Sequence, residues 1–138
     1  MARGLDWKTL FLSARGRIGR RDFWIGFAMV MAVSALLNFL GPVGKIVGFA
    51  SLWPMVCLHA KRLHDAGRSA WLMLAPAAVT LSQVMVAATM PRTPLDGVLT
   101  VLTMAVSAGF LLWVGLSPGQ PGANHFGEPP LSTRGSPG

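Results

Sequence analysis

Long apolar stretches separated by short polar turns run through this chain from Phe23 to Leu116. Four of them stand out, at about 23–40, 42–60, 70–90 and 98–116. A bilayer hydrocarbon core about 30 Å thick is crossed by about 20 apolar residues in a helix, and each stretch approaches that length. The pattern therefore predicts an all-α polytopic membrane protein with four transmembrane helices between residues 23 and 116. Gly41-Pro42-Val43-Gly44 predicts a tight turn after the first span, and Met90–Gly97, with Pro91, Arg92, Pro94 and Asp96, a second one. Pro54 and Pro76 fall inside the second and third stretches, where proline is expected to kink a helix.

The flanks have a different character. Residues 1–22 are basic and amphipathic: Asp6 is placed to cap a short helix, and Trp7, Leu10, Phe11 and Ala14 recur at helical spacing. Such a helix is expected to lie in the membrane interface, apolar face toward lipid. Residues 117–138 are rich in Gly and Pro and predict an irregular tail, extended or disordered at its end. The first apolar stretch is long for a signal peptide and no small-residue cleavage site follows Leu40, so it is expected to remain as a span.

Composition sharpens this. Charged residues make up 12% of the chain, against about 25% in soluble domains, and the deficit sits in the apolar stretches. The single cysteine, Cys57, excludes an internal disulfide. Tyr is absent, so Trp7, Trp24, Trp53, Trp71 and Trp113 fill the interfacial aromatic role. The net charge of +7 does not imply nucleic acid as a partner. Arg3, Lys8, Arg15, Arg17, Arg20 and Arg21 precede the first span, and Lys61, Arg62 and Arg68 follow the second, while Lys45 and Arg92 occupy the other two turns. That bias puts the N-terminus, the 61–69 loop and the C-terminus on the cytoplasmic side. It also makes anionic lipid head groups expected partners.

Three motifs carry the polar chemistry: Gly16-Arg17-Ile18-Gly19-Arg20-Arg21-Asp22-Phe23-Trp24, Lys61-Arg62-Leu63-His64-Asp65-Ala66-Gly67-Arg68-Ser69-Ala70-Trp71, and Gly119-Gln120-Pro121-Gly122-Ala123-Asn124-His125-Phe126-Gly127-Glu128-Pro129-Pro130. Their order and content resemble domain-of-unknown-function family 805, the YhaH-like small bacterial inner-membrane proteins, from about Leu5 to Pro130. Lys61, Leu72 and His125 stand where that family often has Arg, Trp and Arg. The resemblance implies a multi-pass protein of the bacterial inner membrane and supplies no activity.

Together the motifs propose a cytoplasmic-face structural or binding network of Arg17, Arg20, Asp22, Trp24, Arg62, His64, Asp65, Arg68, Trp71, Asn124 and Phe126. Arg20 and Trp24 are four apart, as are Arg17 and Arg21, the spacing of neighbours on a helix. Asp65 is the one acid of its loop; it is expected to pair with Arg17 or Arg20, or else locally with Arg62 or Arg68, and with Gly67 and Ser69 it also reads as cap chemistry. Catalysis lacks a template. A catalytic carboxylate needs an acid or base partner, and no serine has a recognisable nucleophile setting. His59 and His64 are five apart, off the four-residue spacing of a helical metal pair, so neither metal nor cofactor is expected. No Asp, Glu, Lys or Arg lies within the spans clear of their ends, which argues against a proton or ion pathway. The expectation is a non-enzymatic accessory or assembly subunit, or a regulator, that binds another integral membrane protein or itself. A small oligomeric transporter or channel is the second reading and a membrane-embedded lipid enzyme the third. Small residues four apart, as in Ala28/Ala32, Ala78/Ser82 and Ala105/Gly109, permit close helix packing.

Overall fold

A computed structural model describes residues 7–42, 44 and 50–130. All of its regular elements are helices: α1 (Trp7–Leu12), α2 (Arg20–Asn38), α3 (Leu52–Asp65), a single 3-10 turn (Ala70–Met73), α4 (Leu74–Thr89) and α5 (Pro94–Leu116). The chain forms two compact units, one from Met1–Ala70 with Pro118–Gly138 and one from Trp71–Ser117. The predicted cap Asp6 and the turn cation Lys45 lie outside the described residues.

In the first unit, α2 and α3 pack around the fully buried Phe23, Cys57 and Leu58, with Leu63 and Val30 also buried. Gly26 makes the approach possible, since a Cβ there would stand 2.8 Å from a Leu58 methyl. Phe23 meets His59 edge-on at 5.3 Å between ring centres and Trp24 likewise at 5.4 Å, an arrangement favoured by the ring quadrupoles. Helix α1 also packs on α3, so part of the face expected to enter lipid meets protein: Leu10 is buried, while Trp7 stays 48% exposed. The reason is local. A six-residue helix leaves its last carbonyls unbonded, and α3 supplies their donors. Lys61 Nζ donates to the carbonyls of Thr9 and Leu10, and Trp53 Nε1 to that of Leu12.

The second unit is an α4–α5 antiparallel hairpin. Thr93 caps α5 by accepting from the Asp96 amide at 3.3 Å, Pro94 fills the first helical position, and Asp96 accepts from the Arg92 amide. The helix thus starts at Pro94 rather than near residue 98. Gln83 donates to Thr100 across the hairpin, while the hydroxyls of Thr80, Ser82, Thr89 and Thr100 bond carbonyls one turn back. The outward side chains, among them Leu81, Val84, Val101 and Met104, are more than half exposed.

Two sequence expectations change. Among the described residues two helices, not four, are long and apolar enough to cross a membrane: Ala70–Thr89, which includes the 3-10 turn, and Pro94–Leu116. Helix α2 opens on Arg20, Arg21 and Asp22, and α3 is a 14-residue helix with Lys61, Arg62 and Asp65 on its buried side, so neither has the composition of a simple span. Pro54 and Pro76 are the third residues of α3 and α4. In a first turn no intrahelical N–H bond is lost, so Pro54 begins a helix where a mid-helix kink was expected, while Pro76 follows the junction where the 3-10 turn passes into α4.

Candidate functional site

The C-terminus of α3 organises the polar end of the first unit. Gly67 adopts φ +70°, and the Arg68 and Gly67 amides donate back to the Leu63 and His64 carbonyls at 2.8 and 3.0 Å. This is a Schellman closure, which requires the left-handed conformation that glycine adopts at least cost. It terminates the helix with Asp65 in its last turn, so the Asp65 side chain and carbonyl face the chain segments that arrive there.

Two guanidinium groups hold the Asp65 carboxylate. Arg17, from the loop between α1 and α2, approaches Oδ1 with Nη2 at 3.0 Å and Nε at 3.1 Å. Arg62, one turn back on α3, pairs with Oδ2. The three side chains are each only 1% exposed. Arg17 also gathers the tail. Its Nη2 donates to the Gln120 carbonyl at 2.6 Å, and its Nη1 to those of Gly122 at 2.6 Å and Gly127 at 3.3 Å. Arg62 reaches the Ile18 carbonyl at 3.3 Å. Two cations on one anion leave a surplus positive charge, and these carbonyl dipoles face it. Burial lowers the Arg62 pKa, the Asp65 charge and hydrogen bond oppose this, and the nearby Arg20 charge adds to the lowering.

The tail docks on the same end of α3. The Gln120 amide donates to the Asp65 carbonyl at 2.7 Å, and Asn124 Nδ2 donates to that of His64 at 2.9 Å. Asn124 and Gly127 exchange backbone hydrogen bonds around a turn, and Asn124 Oδ1 accepts from the Phe126 amide. That turn lays Phe126 flat on His64, with ring centres 3.9 Å apart and planes 4° from parallel. His64 Nδ1 lies 3.3 Å from the Gly16 carbonyl, and burial depresses the His64 pKa more than this contact raises it. The tail is irregular over 118–130, as expected, and docked by these contacts; its end, 131–138, lies outside the described residues.

The three sequence motifs therefore meet at Asp65. Of its expected partners, the structure gives it a long-range one, Arg17, and a local one, Arg62, together. Asp65, His64, Arg62, Arg17, Asn124 and Phe126 form one connected cluster. Arg17 precedes the first residue of α2, so it and Arg21 are not on a common helix. Arg20 is exposed at that first residue, and Trp24 packs against Phe23 and Phe27. Asp22 is half-buried in the first turn of α2; desolvation raises its pKa, and the Arg21 charge opposes the rise. Arg68 is exposed beyond the Schellman turn, and Trp71, in the second unit, is 77% exposed. Sequence reasoning did not single out Gln120, nor Gly119, whose added Cβ would overlap Asp65 Oδ2. The available signal was the density of glycine in 119–127, which frees the backbone to approach a side chain closely. Chemically, the cluster is closed: both carboxylate oxygens are occupied and Gly119 covers one of them, so its charges act as a latch between segments.

Comparison with known proteins gives family and no activity. The family described as "Protein of unknown function (DUF805)" matches residues 11–128. The chain is 41% identical over 70 residues to "Uncharacterized protein YiiR" of Escherichia coli strain K12, and equally to that of Escherichia coli O157:H7. The match covers 45% of this chain and 48% of the relative, so the chain spans about half the length of the curated relatives it matches. No solved structure matches it. With the family match running from Phe11 in α1 to Glu128, just past the Asn124–Gly127 turn, the chain belongs to the DUF805 family of proteins of unknown function.

Proposed function

We propose that this is a non-enzymatic protein of the bacterial inner membrane, anchored by the α4–α5 hairpin, that acts as an accessory subunit or regulator of another membrane protein. The observation that carries the reading is the closure of the Asp65 cluster. Its charged groups are engaged with one another and with backbone carbonyls, which favours a structural role and leaves the apolar exterior for binding. The hairpin supports the membrane setting, since most of its exposed side chains are apolar and the exposed hydroxyls of Thr80, Ser82, Thr89 and Thr100 bond carbonyls one turn back, as a lipid environment favours. The hydrogen bond from the Gln120 amide to the Asp65 carbonyl supports a paired crossing, because it joins the segments that precede and follow the hairpin. Eleven of the twelve Lys and Arg residues lie outside 71–117, which favours the cytoplasm for the latch side. The basic surface there suits anionic lipid head groups.

The test is crosslinking in the membrane followed by purification in mild detergent. The expected result is a stoichiometric membrane-protein partner whose capture is lost when Val101 or Met104, exposed on α5, is replaced by Arg, with the latch intact. A monomer with no crosslinked partner refutes the subunit reading.

A further inference from the structure

We propose that α2 and α3 form a re-entrant hairpin that enters the bilayer from the latch side and turns back before the opposite surface. This rests on the membrane reading given above and adds a second buried element to it.

Charge is segregated within the first unit. Arg17 and Asp65 are ion-paired, so the start of α2 and the end of α3 are tied together, and the end of α2 and the start of α3 lie away from that pair. Apart from Lys45, all charge sits at the tied end: no Asp, Glu, Lys or Arg occurs from 23 to 44 or from 46 to 60. Beyond Asp22, α2 has apolar side chains on its outer as well as its inner face; Ile25, Met29, Val33 and Leu36 are 40 to 67% exposed. At the start of α3, Leu52 and Trp53 are 59 and 54% exposed. A helix apolar all round is stable where its surroundings are apolar.

The occupant of this surface is lipid acyl chain. Five residues after Asp65 the chain enters the candidate span at Ala70, so the latch lies close along the chain to the membrane surface. An open cleft of about 230 Å³ lies between α1, α2 and the start of α3, lined by Phe11, Met29, Val30, Val33, Ser51 and Pro54. Its wall is apolar apart from Ser51, which suits methylene groups and offers nothing to a polar ligand.

Length decides between entering and crossing. Phe23–Leu40 reaches about 27 Å as helix, but the return arm between Lys45 and Lys61 has only fifteen residues, about 22 Å even if helical throughout. A core about 30 Å thick is not spanned by the shorter arm.

The experiment uses single cysteines added to the full chain, labelled by a membrane-impermeant maleimide in right-side-out and inverted vesicles. Native Cys57 is fully buried, and the parent chain serves as the background. Arg21→Cys, at the exposed charged end, is expected to label from one side; Leu36→Cys and Pro42→Cys, both exposed in the protein, are expected to lose labelling from either side and to react with a lipid-soluble maleimide. Labelling of Pro42→Cys from the Arg21 side means that the hairpin stays in water, and labelling from the opposite side means that it crosses; either overturns the proposal. Val101→Cys on α5 separates the two readings. If it is protected while Pro42→Cys is labelled, the re-entrant hairpin alone fails; if it labels freely, the membrane reading fails first.

Discussion

Replacing Asp65 with Asn tests the latch most directly. The carboxamide keeps the size of the carboxylate and removes the charge that two buried guanidinium groups share. Its oxygen can still accept from Arg17, but its NH2 then faces the Arg62 donor, and two donors cannot bond each other. Breaking one buried pair by removing a partner costs about 3–5 kcal/mol. Here a single change strips the counter-charge from two cations, so the expected loss lies at the upper end of that range. Against a typical folding stability of about 5–15 kcal/mol, it is enough to melt the latch or the whole first unit. Reversible unfolding in mixed micelles gives the loss, and hydrogen exchange at the Gln120 amide, which bonds the Asp65 carbonyl at 2.7 Å, reports the tail. Faster exchange there should accompany the destabilisation. A loss below about 1 kcal/mol, the scale of an exposed ion pair, with unchanged exchange at Gln120 would refute the argument. A charge swap at 17 and 65 is not expected to rescue, because Arg62 would then face a cation and Gly119 leaves a longer side chain no room.

The other changes probe separate parts of the same end. Gly119→Ala places a methyl on Asp65 Oδ2 and should cost about 1–3 kcal/mol in an unfolding titration, with faster tail exchange. Gly67→Ala adds a left-handed alanine and a clash with the Gln120 side chain, so its loss should exceed the ~1 kcal/mol of conformational cost alone. Lys61→Met removes the donor to the Thr9 and Leu10 carbonyls and should expose α1 to proteolysis while leaving the Gln120 amide protected. For His64, burial depresses the folded pKa below the ordinary 6.5, so the unfolded chain binds the proton more readily. Its contribution is therefore complete above about pH 6.5 and lost as the pH falls through the folded value. The unfolding midpoint should drop between about pH 7.5 and pH 5, and His64→Gln should flatten that drop.

The helical class was legible because the apolar stretches are long and the breakers between them dense. The number of spans was not, because hydropathy reads residues and not the surfaces they meet. Phe23, Cys57 and Leu58 are as apolar as a lipid-facing stripe, yet here they face one another. Arg62 and Asp65 lie one turn apart on the buried side of α3, where the attraction between them and to Arg17 offsets their desolvation. Pro54 and Pro76 misled for a related reason. A proline within an apolar stretch signals a kink only if the α-helix has already begun; α3 begins two residues before Pro54, and at Pro76 the run that starts as a 3-10 turn at Ala70 has just become α-helix.

The site divides in the same way between what side-chain chemistry announces and what backbone geometry adds. Asp65, the lone acid of its loop among nearby cations, called for an arginine partner, and the shared side of the first two motifs suggested Arg17 or Arg20 without choosing between them. The tail's part could not be read so, because Arg17 meets it at the carbonyls of Gln120, Gly122 and Gly127, and every residue has a carbonyl. Glycine is the only trace such contacts leave. Gly122 and Gly127 hold φ of +79° and +124°, conformations that turn the chain around the guanidinium, and Gly119 lacks the Cβ that would strike the carboxylate. One consequence separates this latch from an ordinary ion pair. Arg17→Lys keeps the charge and one bond to Asp65, but a single ammonium cannot span Oδ1 and three carbonyls as the planar fork does. These carbonyls belong to exposed residues, so each bond lost costs about 0.5–1.5 kcal/mol, less whatever water restores. Arg17→Lys should therefore loosen the tail, seen as faster exchange at Gln120 and Gly127, while α2 and α3 stay packed. If the lysine variant protects those amides as well as arginine does, the pair with Asp65 alone holds the tail and the carbonyl contacts contribute little.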